Sequence, residues 1–445
     1  MQSIKVGILG LGTVGAGTVS VLQGNAHEIQ RRVGSAIEVT MASVRDLSLD
    51  RDCDCSALTL TDDPYAVVNN SDLDIVVELI GGETLAKDLV LAAIDNGKHV
   101  VTANKALIAL HGNELFAAAQ AKGVAVLFES SVAGGISIIK SIREGLAGNR
   151  IELVAGIING TGNFILTEMR DKGRSFDDVL AEAQALGYAE ADPTFDVEGI
   201  DAAHKLTILA SIAYGIPLQF DKVYTEGISQ LDLDDIAYAE GLGYRIKHLG
   251  IAKSSEQGLE LRVHPTLIPE SQLIANVDGV MNAVLVKGNA VGDTLHYGAG
   301  AGGKPTASAV VADIIDLART MSAKNTSTQT IADASYRIPQ LGFQASAITE
   351  QTIKHSDQFT CAYYLRLEAD DVAGVMSKLT SVFAELEISI EGITQKEPAT
   401  GQDSVSVIMI TQRTIESRID SAIEKIQDIA QIKSKVVKIR VEHLS

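Results

Sequence analysis

Five carboxylates and one lysine crowd the stretch AQALGYAEADPTFDVEGIDAAHK, which runs from Ala183 to Lys205. They are Glu190, Asp192, Asp196, Glu198 and Asp201, followed by Lys205. Asp201 and Lys205 stand four apart, so on a helix they share a face. That face continues through Ile208, Leu209 and Ile212, ionic at its start and apolar beyond. Two chemistries fit this spacing. In one, the pair is an ordinary ion pair on a solvated helix, worth ~0.3–0.5 kcal/mol. In the other, it faces a crevice, Lys205 donates a proton, and the carboxylates hold it together with a cationic substrate. A proton donor there needs opposing influences in balance: neighbouring acids favour the ammonium form, while desolvation and a helix N-terminus disfavour it.

Positioning such a pair requires a helix, and the pattern predicts one over 198–214. Just before it the chain turns: Gly187 permits positive φ, and Asp192-Pro193 disfavours helix ahead of the proline. The chain is 445 residues long, with 46% hydrophobic and 21% charged residues, enough for about two or three domains with proper cores. A net charge of −20 argues against nucleic acid or an anionic membrane as a general partner. Cys53, Cys55 and Cys361 form no zinc-ligand pattern, and free thiols in a reducing cytosol are the default. The start has no basic-then-apolar leader, and no apolar run is long enough to span a bilayer. The expectation is a soluble cytoplasmic protein.

The first strand, Ile4 to Leu9, runs directly into Gly10-Leu11-Gly12-Thr13-Val14-Gly15. This is G-x-G-x-x-G between a strand and a helix beginning near Thr13. Gly10 makes the tight turn, Gly12 lets backbone approach a pyrophosphate, and Gly15 lets the helix pack on the strand. The reading is a dinucleotide-binding βα unit, against a merely tight turn. At the end of the next strand, near 37–44, Arg45 precedes Asp46. An arginine there can pair a 2′-phosphate in bidentate fashion, which favours NADP over NAD. Buried parallel strands follow at 74–80, 99–102 and 124–128. Lys105 lies just past the carboxyl end of the 99–102 strand, where open α/β sheets bind ligands; it is read either as a surface helix-start lysine or as a cation at the cofactor–substrate junction. The small-residue loop Glu129 to Gly135 could offer carbonyls to a hard cation or simply turn.

A second region begins near Ile151. A strand at 151–158 ends in Asn159-Gly160-Thr161-Gly162-Asn163, a helix is expected over 164–172, and strands near 261–265 and 283–288. Gly298 to Gly303 then precedes a helix over 306–320, as a ligand-facing glycine stretch or as a hinge. The tail from Phe359 reads strand, helix, strand, hairpin turn at 398–403, strand, helix, strand: the βαββαβ ferredoxin-like order. The expected division is 1–130, a Rossmann-type domain; 131–325, an α+β catalytic and dimerisation domain, with 326–345 returning toward the first; 346–357, a linker; and 358–445, the tail.

With those residues in view, the chain resembles the homoserine dehydrogenase family. The stretch 183–205 matches its signature in an alanine, a glycine after three residues, Asp192-Pro193, Asp196, Gly199, Asp201 and Lys205. The tail resembles an ACT domain, with Asp371 to Val375 as its ligand turn. The resemblance implies reduction of L-aspartate 4-semialdehyde to L-homoserine with NAD(P)H, on the route to threonine, methionine and isoleucine. It implies Lys205 as proton donor, Lys105 beside nicotinamide and substrate, and Asp201, Glu190, Asp196 and Thr161 at the substrate. Thr13, Val14, Arg45, Gly187 and Gly302 would approach the cofactor. A monovalent cation such as sodium would sit on backbone oxygens of Glu129, Val132, Gly134 and Ile136. A homodimer or homotetramer and feedback by an end product, threonine, at the ACT domain are further implications. Removing the chain beyond about residue 350 is expected to leave activity and abolish the effector response. Rival readings are a nucleotide-binding redox sensor, which would need no acid-and-lysine constellation, and a dehydrogenase of another amino-acid aldehyde.

Overall fold

The computed structural model describes residues 3–326, 338–395 and 404–444. The expected turn at 398–403 and residues 327–337 of the expected return segment lie outside them. Two compact units result, each built from several pieces of chain.

The first unit falls within Met1–Gly160, Asp201–Val223 and Val280–Gln351. Its main sheet comprises β1 (Ile4–Leu9), β2 (Ile37–Ser43), β3 (Thr59–Thr61), β4 (Ile75–Glu78), β5 (His99–Thr102) and β6 (Val126–Leu127). Their order is β3-β2-β1-β4-β5-β6 and every pairing is parallel. Between β1 and β4 the winding reverses, the position at which doubly wound sheets take a nucleotide. Ile4, Val6, Ile8, Ile75, Val77 and Val101 are buried in one core, as strands covered on both faces must be. Helices α1 (Thr13–Gly24), α2 (Ala26–Val33), α3 (Pro64–Val68), α4 (Thr84–Asp95) and α5 (Lys105–Lys122) connect them, and α6 (Ile138–Lys140) follows β6. A smaller antiparallel sheet joins β7 (Ile151–Ile157), β11 (Met281–Gly288) and β12 (Gly292–Ala299). The unit is completed by α10 (Ile200–Tyr214) and α12 (Gly303–Thr326). β12 carries no strand signal in the sequence, because Gly292-Asp293-Thr294 and His296-Tyr297-Gly298 break the apolar alternation that marks a strand.

The second unit falls within Thr161–Ile200, Tyr224–Gly279 and Thr352–Ser445. It contains α7 (Gly160–Lys172), α8 (Phe176–Ala185), α9 (Thr194–Val197), β8 (Tyr224–Thr225), α11 (Leu233–Gly241) and the long hairpin β9 (Tyr244–Ser255) and β10 (Gly258–Pro269). The tail contributes β13 (Thr360–Asp370), α13 (Val375–Glu385), β14 (Ile390–Gln395), β15 (Ser404–Thr411), β16 (Thr414–Ile415), α14 (Glu416–Gln427) and β17 (Val437–Val441). These follow the βαββαβ order with one added two-residue strand. One face of the tail's sheet packs on α13 and α14 through Leu365, Leu379, Phe383 and Ile419. The other face shares a core with residues of 161–279: Tyr364, Ile410, Ile439 and Val441 cluster with Phe164, Met169, Val197, Ile228 and Ile236. β17 also continues the hairpin's sheet, parallel to β10 at Thr266↔Arg440 and Leu267↔Val441. The tail, read from sequence as a separate piece, thus has one of its two cores in common with residues 161–279.

Candidate functional site

The glycine turn after β1 is built for close approach. Gly10 sits at φ +94°, and a Cβ on Gly15 would lie 2.1 Å from the Gly10 carbonyl oxygen. A Cβ on Gly12 would meet nothing within 4 Å, so its backbone faces open space at the start of α1. Thr13 and Val14 form the first turn of that helix. The Gly298–Gly303 stretch comes to the same place. Gly302 has φ +121°, and a Cβ on Gly303 would lie 3.1 Å from the Thr13 carbonyl oxygen. Two glycine stretches remote in sequence therefore meet at one helix start, an arrangement that fits a dinucleotide pyrophosphate. Arg45 is exposed just past β2, while Asp46 turns to its own loop and accepts from the Ser48 amide and hydroxyl.

Lys105 begins α5, and Asn104 caps that helix by accepting from the Leu107 amide at 3.1 Å. The strand ends supporting this start hold a buried acid that carries no role in the sequence reading. Glu78 closes β4, accepts from the amides of Ile80 and Gly81, and accepts the Thr102 hydroxyl at 2.6 Å. Burial pushes its pKa up against those hydrogen bonds. An acid ending an otherwise apolar parallel strand is the signal that could have marked it.

Asp201 lies in the first turn of α10 with its side chain 4% exposed. Lys205 Nζ reaches Asp201 Oδ2 at 2.7 Å, Lys105 Nζ reaches Oδ1 at 3.0 Å, and Asn159 Nδ2 donates to Oδ2 at 2.8 Å. Lys205 Nζ also donates to the Ile158 carbonyl at 2.7 Å. With Lys205 only 12% exposed, this is no solvated surface pair. Burial would raise the Asp201 pKa, yet the two ammonium groups and the hydrogen bonds from Lys205 and Asn159 hold it well below the usual carboxylate range. Asn159, which the sequence shows only as the residue where the 151–158 strand ends, thus orients the central carboxylate. His204, beside Lys205 on the same helix, packs its ring on that of Phe220, centroids 4.3 Å apart and planes tilted by 47°. Burial pushes its pKa down to about 4, helped by the charges of Lys105 and Lys205 and opposed by Asp201.

The remaining expected substrate and cofactor residues belong to the second unit. Thr161 is buried in the first turn of α7 and donates to the Tyr188 carbonyl at 2.6 Å. The helix expected over 164–172 begins earlier, with Gly160 through Asn163 already part of it. Gly187 has φ +75° with open space around it. Glu190 is exposed and Asp196 half-buried. In the first unit, Glu129, Val132, Gly134 and Ile136 form a buried loop, with Ala133 at φ 54° and Gly134 at φ 39°. Glu129 accepts from the amides of Ile139 and Lys140, and the Ile136 carbonyl accepts from the Ile138 amide at 2.7 Å.

Family models described as "Homoserine dehydrogenase, NAD binding domain" and "Homoserine dehydrogenase" match residues 10–129 and 137–315. A homoserine dehydrogenase of Pseudomonas aeruginosa is 59% identical over 445 residues, covering all of both chains. The chain belongs to the homoserine dehydrogenase family. It is accordingly an oxidoreductase with an NAD-binding domain, and an ACT domain model matches residues 363–431. The crystal structure of a homoserine dehydrogenase from Thiobacillus denitrificans is similar at 57% identity and TM-score 0.92, covering 100% of this chain and 99% of that one. A hyperthermophilic archaeal homoserine dehydrogenase in complex with NADPH is similar at 26% identity and TM-score 0.59 over 71% of this chain and 98% of that one. Among the described residues, no helix is long and apolar enough to cross a membrane.

Proposed function

We propose that the protein catalyses NAD(P)H-dependent reduction of L-aspartate 4-semialdehyde to L-homoserine, with Lys205 as the proton donor. The observation that carries this reading is the Lys105–Asp201–Lys205 cluster, two ammonium groups on one buried carboxylate. A nicotinamide cofactor, when bound, supplies the hydride. As the aldehyde carbon accepts it, the oxygen gains charge. Lys205 stabilises that charge and delivers the proton to the oxygen, with Lys105 adding electrostatic support. Asp201 supplies the counter-charge that keeps both lysines in place and contacts the substrate, and Asn159 holds its carboxylate in orientation. Glu190 and Asp196 meet the substrate's ammonium group, and Thr161 lines its pocket.

Gly10, Gly12, Thr13, Val14, Gly15, Gly187 and Gly302 are proposed to receive the cofactor. Arg45 favours NADP over NAD, because its exposed guanidinium suits a 2′-phosphate; the NADPH complex of the archaeal relative supports this. The carbonyls of Glu129, Val132, Gly134 and Ile136 suit a hard monovalent cation such as sodium, being neutral oxygens on a buried loop. Threonine is the proposed effector at the ACT domain of a cytoplasmic homodimer or homotetramer. The domain limits proposed are 1–130, 131–325 and 358–445. Initial rates of absorbance change at the NAD(P)H band, with homoserine and either NADP or NAD, test the reaction. Repetition with threonine tests the regulation. No change in absorbance with either cofactor overturns the proposal.

A further inference from the structure

Within the second unit, the tail's last strand is tied to the segment that carries Asp196. Arg440 on β17, 1% exposed, divides its guanidinium between two acids. Nε donates to Glu416 at 2.9 Å and Nη1 pairs with Glu226 at 2.7 Å, while the group lies 4.8 Å over the Tyr224 ring. The Tyr224 hydroxyl donates to the same Glu226 oxygen at 2.9 Å. Glu416 opens α14, so one guanidinium spans the tail's second helix and the strand end at Tyr224–Thr225.

From Glu226 the substrate segment is one residue away. A Cβ on Gly227 would lie 2.8 Å from Glu198 Cα, so the two backbones touch where any side chain would separate them. The Ile228 amide donates to the Val197 carbonyl at 2.9 Å. The Glu226 carbonyl partners His248 Nε2 at 2.9 Å, and the His248 ring in turn backs Gly199, where a Cβ would lie 3.0 Å from Cε1. Gly199 itself has φ +82°, so nothing larger fits the turn. Residues 197–199 are thereby clamped between 226–228 and His248, and they are the residues that link Asp196 to the start of α10. Val197 and Ile228 also share a core with Ile439 and Val441 of β17. Packing and hydrogen bonds therefore run without a gap from the tail to this turn.

We propose that Glu226 is a positioning residue for substrate binding, held by Arg440, so that the tail's last strand and second helix bear on Asp196 through the 197–199 turn. The proposal rests on the reading above that Asp196 serves the substrate. It gives the tail a route to the site whatever molecule it binds. Remote residues on a contiguous packed path shift binding by about two- to thirtyfold.

The full-length Arg440→Met variant tests it. The expected result is a KM for homoserine raised about tenfold, with kcat and the KM for NADP unchanged, and Arg440→Lys restoring much of the loss. Amide hydrogen exchange over 190–202 should quicken, while exchange in β1 and β4 stays as in the parent. A fall in kcat with unchanged KM, or parallel loss of NADP binding, would show a merely structural role and overturn the inference. Should Arg440→Met not fold, Glu226→Gln removes the charge at a side chain that is 34% exposed, and the same readouts apply. Failure of the parent to oxidise homoserine would defeat the functional reading alone. Exchange over 190–202 then decides the coupling: acceleration in the variant supports it, and no change overturns it.

Discussion

Lys105 and Lys205, remote in the chain, lie against opposite oxygens of one carboxylate, Lys105 Nζ at 3.0 Å from Asp201 Oδ1 and Lys205 Nζ at 2.7 Å from Oδ2. Two ammonium groups so close would repel strongly in a partly buried site without the acid between them. The Lys205→Ala variant should lower kcat by ~10²–10⁴-fold, with NADPH affinity by fluorescence titration unaltered. Turnover near that of the parent would reject Lys205 as the proton donor.

Asn159 gives Asp201 a neutral donor, at 2.8 Å. Hydrogen bonds to charged groups are worth ~1.5–3 kcal/mol, so Asn159→Ala is expected to lower kcat/KM for homoserine by about ten- to a hundredfold. Asn159→Asp should be worse, because it sets a second carboxylate beside the first. Steady-state kinetics at saturating NADP measures both, and an Asn159→Ala enzyme as efficient as the parent would show that Asp201 needs no such support.

His204 carries a pH signature. Burial pushes its folded pKa down to about 4 from the ordinary 6.5 of a histidine. Between those values the unfolded chain binds more protons than the folded one, so stability is undiminished above 6.5 and falls as pH drops toward 4. Replacing it in His204→Phe should flatten that part of the urea-midpoint profile between pH 7 and 4. An unchanged slope would mean that other groups carry the dependence.

Removal of the tail after Gln351 is expected to unfold the second unit rather than to leave a working core, contrary to the sequence-based expectation. The cut strips one wall from the core shared by Tyr364, Ile439, Val441, Val197 and Ile228. It also takes Glu442 away from Arg262, a fully buried guanidinium paired with it at 2.6 Å. Arg262 is then left with Glu260 at 3.1 Å, and loss of one acid from a buried ion pair costs up to about 3–5 kcal/mol, a large share of a domain's stability. Calorimetry of the truncated chain should show a lost or strongly lowered transition. A transition as high as that of the full chain would mean that the shared core contributes little.

Arg45 is expected to set cofactor preference. Arg45→Ala should raise the KM for NADP by about ten- to a hundredfold, the loss of a charge-assisted hydrogen bond, and leave the KM for NAD unaffected. Equal effects on both would place the 2′-phosphate elsewhere.

The Rossmann strands, the glycine turn and the Asp201–Lys205 pairing are readable in the amino-acid order because each depends on neighbours in the chain. A strand buried on both faces is a continuous apolar run, Gly10 and Gly15 answer to steric limits inside one βα turn, and residues four apart on a helix meet by geometry alone. The tail's strand and helix order is legible for the same reason. Contacts between distant segments carry no such period. Lys105 and Asn159 on Asp201, Gly303 against Thr13, and the second core of the tail arise from packing of surfaces that the local pattern leaves unpaired. Polar strands such as β12, and the helical start at Gly160, stay hidden because tertiary burial there overrides propensity. Chemistry encoded within a single turn is thus visible in the sequence, and chemistry assembled across segments appears only once the chain has closed on itself.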